Sequence, residues 1–396
     1  MARVAYREID ASVGFYVLCG ILAALTAAGL ASAWYMEASG HVVTGMNNRI
    51  VWGMPHVFAV FLIVAASGAL NAASVASVFG RASYKPMARL SGLLAIALLV
   101  GGLGVLVLDL GRPERLVVAM TTYNFKSIFA WNIFLYVGFL LIVGIYLYVQ
   151  MARGTERYVA SAGLIAFVWR IVLTTGTGSI FGWLVAREAY DTAVMAPLFI
   201  AMSLALGLAA FLLLLMAGCA GAKRPLGAQT LERLGRLLGI FAAATLYFVA
   251  VHQLTSLYWA KHAGIARFIL LDGGIYTALF WAFAIGGGLI PIALAFHPAT
   301  GRSRTGLALA GVLTLLGGLA LIYVIIIGAQ AYPLTMFPGM EVSSSFADGV
   351  VAPYLPSLPE VLLGLGGAAF AILLTMLGMR LLRFLPASLA GEEAAS

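Results

Sequence analysis

The chain has 396 residues, 63% of them hydrophobic and only 10% charged, with a formal net charge of +8 and a mean hydropathy of +1.03. A soluble domain carries roughly 25% charged residues, so lipid rather than water is the main solvent. The composition points to an all-α polytopic membrane protein, because helices satisfy their own backbone hydrogen bonds in hydrocarbon. A β-barrel would alternate apolar and polar residues, which these runs do not. The positive charge fits Lys and Arg on cytoplasmic loops better than nucleic-acid binding. Cys19 and Cys219 lie far apart in apolar runs with no CxxC or Cys/His cluster, which supports neither an iron–sulfur cluster nor a structural zinc. The opening MARVAYREIDAS is charged and polar, unlike a cleavable secretory signal.

In chain order, apolar runs of about 20 residues predict ten membrane helices. They lie near 13–36, 50–79, 90–110, 128–151, 158–186, 193–218, 234–259, 269–296, 306–330 and 358–384. Ten spans put both termini on one side. Fifteen Lys and Arg fall on that side, against seven on the other (Arg49, Arg112, Arg115, Lys126, Arg187, Lys261 and Arg267), and only Arg170 lies inside a span. The positive-inside bias predicts cytoplasmic termini, and the loop 331–357, which has no Lys or Arg, would then be external. The second span begins MPHVFAVFLIVAASGAL and the sixth MAPLFIAMSLALGLAAF, a weak internal echo. It suggests two related four-helix bundles, within 50–186 and 193–330, inside one membrane domain with flanking helices.

The third span ends in LDLGRPER, Leu108 to Arg115, which places two acids and two arginines at a membrane boundary. Ions there have a partner or a job. Gly111 permits a bend, and Pro113 suits the first turn of a short helix after it. One reading pairs Asp109 with Arg112 to end the helix. The other has Asp109 accept a proton from a bound hydroquinone, which needs a carboxylate within hydrogen-bond reach of a hydroxyl. The third span runs outward and the second inward, so His56 lies about six residues, roughly 9 Å, below the outer start of its span. His56 and Asp109 therefore share a depth, although they are 53 positions apart. His56 could equally be a packed histidine satisfied by a backbone carbonyl.

The following run TTYNFKSIFAW supplies Tyr123, Asn124, Ser127 and Trp131, either interfacial anchors or a pocket wall. Arg170, at mid-depth in the fifth span, should face the bundle interior, because a central arginine costs at least ~2.5 kcal/mol on insertion scales. His252 and Gln253 lie in the outer half of the seventh span, and Asp272 begins the eighth. A haem held by His56 and His252 is disfavoured, since each helix pair lacks the usual two histidines. The glycines at 101–104 and 286–288 suit close helix contact, and no P-loop, Rossmann fingerprint or serine triad stands in a plausible context.

These motifs resemble the NrfD/PsrC family of quinone-interacting membrane subunits. LDLGRPER, YNFKSIFAW and MPHVFAVFLIVAASG carry the likeness, with TTGTGSIFGWLVARE and APLFIAMSLALG as secondary matches over spans two to six. Within the family the chain looks most similar to the membrane subunits of Dsr-type assemblies, through YREID and YMEASGHVVTGMNNRIVWGMPH. The resemblance implies a cofactor-free subunit of a bacterial inner-membrane redox complex, inactive alone, with menaquinone or ubiquinone as exchangeable substrate. It implies a periplasmic ferredoxin-like iron–sulfur subunit, a multihaem cytochrome c, a cytochrome b membrane subunit and a cytoplasmic iron–sulfur subunit as partners, and a role in sulfur metabolism. It makes His56 and Asp109 the expected catalytic quinone ligands, Arg112 the residue that orients Asp109, and Tyr123, Asn124 and Trp131 further pocket residues. Arg170 and His252 become candidates for a proton path. A secondary transporter or ion channel also fits ten helices and a buried arginine, as does a structural anchor for peripheral redox proteins.

Overall fold

The computed structural model describes residues 5–334 and 349–389, so Arg3 and the middle of the 331–357 loop lie outside the described residues. Ten helices long and apolar enough to cross a membrane are present among them: α1 (Val13–Ser39), α2 (Met54–Ser77), α3 (Ala82–Leu108), α4 (Ile128–Met151), α5 (Glu156–Gly182), α6 (Met195–Gly221), α7 (Ala228–Tyr258), α8 (Ile275–Phe296), α9 (Arg304–Ala331) and α10 (Leu358–Leu381). α4 falls where the apolar run predicts it.

Elsewhere the ends move for local reasons. α2 starts at Met54 rather than 50, with Gly53 as its N-cap and Pro55 in the first turn, where a missing N–H costs nothing. α7 begins six residues early because the polar stretch around Glu232 and Arg236, an i,i+4 pair at 2.7 Å, continues the helix beyond the apolar run. α8 starts late, because Phe268–Asp272 forms a separate π turn capped by Gly273, and Gly274, whose φ of +59° suits glycine, then N-caps α8. Asp272 accordingly stands outside α8 and pairs with Arg267 at 2.8 Å.

The helices pack in two groups of four. α2 lies on α3, α3 on α4, and α4 and α2 on α5; α6 to α9 form a similar closed set. The groups meet where α2 and α5 lie against α6. At that seam the helices touch backbone to backbone: a Cβ on Gly207 would overlap Gly68, and one on Gly68 would overlap the Ser203 carbonyl. Gly287 of α8 meets Gly317 of α9 in the same way, the close contact expected of the 286–288 glycines. α1 and α10 pair with each other and cover the flank of α2 and α3 through α10.

Both ends of the described chain lie at one end of the bundle. There β1 (Tyr6–Arg7) pairs antiparallel with β2 (Leu385–Pro386). Arg224 fastens the two chain ends by donating to the carbonyls of Arg7, Glu8, Leu385 and Pro386 at 2.6–3.1 Å. The opposite, distal end carries the end of α3 and the start of α2. There Tyr354 donates to Glu360 Oε1 at 2.7 Å and accepts from the Met54 N–H at 2.6 Å, tying the start of α2 to α10. Burial, and then that bond to the Glu360 carboxylate, hold the Tyr354 hydroxyl above its ordinary range, so it stays a donor.

Candidate functional site

Asp109 is the C-cap of α3, its N–H donating to Val105 O at 3.0 Å. The chain then turns through Gly111 and Arg112 into a 3₁₀ turn opened by Pro113 and the short helix Leu116–Thr121, as the sequence predicts. Asp109 is 5% exposed in a wholly apolar helix end. From the first turn of α2, His56 brings Nδ1 to 2.8 Å from Asp109 Oδ2. The contact is short but poorly aligned: His56 Nδ1 and both Asp109 oxygens lack a well-directed hydrogen-bond partner among the described residues. The pair is thus in close contact while its donor and acceptor capacity stays uncommitted.

Arg112, expected to orient Asp109, is exposed, and the ionisable side chain in contact with Asp109 is His56. Asp109 itself does not line the cavity beside the pair. A cavity of about 450 Å³ opens beside the pair, and His56 lines it while Asp109 sits behind the imidazole. The arrangement is a histidine facing a chamber, backed by a buried acid.

The cavity is walled by α2 to α5, by Leu116 and Met120 of the short helix, and by Ile326 of α9. Most of the wall is aliphatic. The polar and aromatic groups are His56, Trp52, Asn132, Tyr136, Phe129 and Phe181. The Asn132 amide already donates to Ile128 O and Gly176 O at 2.9 and 3.1 Å, and the Tyr136 hydroxyl lies 3.3 Å from Thr177 Oγ1. His56 is thus a lining side chain with polar capacity left over. Met120, Phe129 and Val137 line the cavity and are also exposed on the bundle's flank, so it opens sideways between α3 and α4.

Tyr123, Asn124 and Trp131 do not line this cavity. Trp131 is 48% exposed and donates to Phe125 O, while Tyr123 stacks on Phe134 at 4.3 Å. With Phe125 they form an exposed aromatic cluster, the geometry of an interfacial anchor. The wall residue is the next one along: Asn132 and Tyr136, i and i+4 on α4, point inward where Trp131 points out. Neither they nor Trp52 are among the residues the sequence singles out. A lone Asn inside an apolar span is the signal that could have found Asn132.

Arg170 and His252 lie elsewhere and apart. Arg170 is 3% exposed, and its Nη1 donates to Ser67 O at 3.0 Å and Asn71 Oδ1 at 2.7 Å, beside a separate cavity of about 160 Å³. His252 lines a third chamber, about 40 Å³, with Gln253 and Ser256. These three cavities share no lining residue, so Arg170 and His252 border separate chambers. Among the described residues, no group of three or more His, Cys, Asp and Glu converges as a metal site.

Ten apolar helices, eight of them in two groups of four and two paired on the flank, with a histidine–acid pair beside a lateral apolar cavity, define a multi-pass membrane protein. The family model described as "Polysulphide reductase, NrfD" matches residues 42–333, and the chain belongs to that family. It is similar to the Hdr-like menaquinol oxidoreductase integral membrane subunit of Archaeoglobus fulgidus, at 29% identity over 97% of each sequence. It is also similar to a putative dimethyl sulfoxide reductase membrane subunit of Halobacterium salinarum, at 27% identity over 95% of this sequence and 92% of that one. A polysulfide reductase chain of Wolinella succinogenes matches at 25% identity over 72% of this sequence and 96% of its own.

Proposed function

We propose that the chain is the quinone-handling membrane subunit of a respiratory redox complex, and that quinol is oxidised or quinone reduced in the cavity beside His56. The observation that carries the reading is the His56 to Asp109 contact of 2.8 Å at the wall of a large, sideways-opening apolar cavity. An isoprenoid quinone pairs a flat polar ring with an apolar tail, and the cavity offers both environments. Neutral His56 accepts the proton of one hydroquinone hydroxyl, with the Asp109 carboxylate behind it stabilising the imidazolium; once that proton has passed to water, His56 accepts the second, so two protons and two electrons leave each hydroquinone. Reduction runs the same steps backwards. The two electrons pass to, or come from, an iron–sulfur subunit docked over the distal end.

The name of the Archaeoglobus relative favours menaquinone over ubiquinone. The excess of Lys and Arg on the termini side supports cytoplasmic termini, which puts the cavity near the outer face of a bacterial inner membrane. That location is within reach of a periplasmic ferredoxin-like partner. The likeness to Dsr-type membrane subunits supports the remaining partners, a multihaem cytochrome c, a cytochrome b subunit and a cytoplasmic iron–sulfur subunit, and a role in sulfur metabolism. The test is quinol oxidation by the purified complex. His56→Ala and Asp109→Asn should each abolish most turnover while leaving the complex assembled; normal turnover in both would refute the site.

A further inference from the structure

Trp52 stands just before α2 and its indole faces the imidazole of His56, ring centres 6.1 Å apart and planes 26° from parallel. The same indole meets Phe129 and Phe181, so it is the aromatic centre of the cavity wall. A residue ahead of a helix has no intrahelical bonds to hold it. What fixes Trp52 comes from the far end of the chain. Gln330, near the end of α9 and 3% exposed, accepts from Val51 N–H at 2.9 Å and Trp52 N–H at 3.1 Å through its side-chain oxygen. Its amide donates to Trp52 O at 3.0 Å and to Ile326 O at 2.9 Å.

All the bonding capacity of one buried amide is therefore committed to two backbone segments that both line the cavity, Trp52 and Ile326. The clamp is braced in turn. Arg187 donates to Gln330 O and Arg49 O, both at 3.0 Å, and Tyr190 donates to Ile326 O at 2.7 Å. Ile326 lies in the π turn Val324–Gly328, a distortion that proteins use at functional positions.

We propose that Gln330, a residue of the α6–α9 group, is a positioning residue for the quinone pocket of the α2–α5 group and acts by fixing Trp52 against the bound ring. This inference rests on the proposed quinone site. It makes the pocket a joint product of both helix groups. Trp52 touches substrate in the ground state and the transition state alike, so loosening it weakens binding throughout and raises KM more than it lowers kcat.

The experiment is a double-mutant cycle on the purified complex, with quinol as substrate: Gln330→Met, Trp52→Ala, the double variant, and His56→Ala as reference. Gln330→Met should raise KM about tenfold, the scale of a lost buried polar clamp, with kcat within about threefold of the native value. Added to Trp52→Ala it should raise KM no further, because it acts through Trp52. A purely structural Gln330 would instead multiply the Trp52→Ala effect, or leave KM unchanged and only lower the melting temperature; either overturns the proposal while His56→Ala still abolishes turnover. Unchanged kinetics in all four variants would overturn the quinone site and this inference together. If Gln330→Met does not assemble, Gln330→Glu, which keeps the two acceptor bonds but loses both donor bonds, carries the same cycle with a smaller expected rise in KM.

Discussion

The two four-helix groups each place a partly buried histidine in their distal half, yet the surroundings of the two differ. In α2–α5, His56 faces a cavity of about 450 Å³ and has Asp109 behind it. In α6–α9, His252 faces about 40 Å³, and no carboxylate is among the residues that line it with Gln253 and Ser256. The π turn of α9 stands between them, with Ile326 in the first wall and Val324 and Ile325 in the second. The lesson is that repeated hydropathy does not repeat chemistry. A histidine can move a proton usefully where something holds its charge and a ligand fits beside it.

The contrast can be broken most sharply at Asp109. Asp109→Asn keeps the shape but removes the charge behind His56, and kcat for quinol oxidation should fall by about 10²–10⁴, the range of a general-acid or general-base contribution. Asn132→Leu is the next test. It leaves Gly176 O without its Asn132 donor, so the complex should lose about 1–3 kcal/mol of stability, read as a lower melting temperature.

Arg170→Met should be milder. It removes a charge that is costly to insert but leaves Asn71 Oδ1 and Ser67 O with one donor fewer, and these terms offset. Quinol kcat should stay within about threefold of native; a larger loss would tie the Arg170 network to the reaction. His252→Leu should change least, with turnover within about twofold, and a larger drop would show that the second chamber takes part.

Much of the architecture is legible in the sequence, because a membrane helix announces itself by length and apolarity. The ten spans, the bend at Gly111 and Pro113, and the shared depth of His56 and Asp109 all follow from such local rules. Which face of α4 turns inward does not. That helix is largely apolar all round, so no stripe separates Trp131 from Asn132, and Tyr123 and Trp131 prove to be outside the cavity. Arg112 misleads for a similar reason: nearness in sequence suggests a partner for Asp109, but the turn carries it to the surface. Gln330 is the least legible of all, since its task is defined by Trp52, 278 residues away.

The central claim, that the quinone occupies the α2–α5 cavity, is tested most directly by photolabelling the assembled complex with an azidoquinone and mapping the modified peptides. Labels should fall on segments that line this cavity, around Trp52 to Ile63, Phe129 to Val137 and Ile180 to Phe181, and should be displaced by unlabelled quinone. Displaceable labels on α7 or α8 near His252, with these segments unmodified, would contradict it.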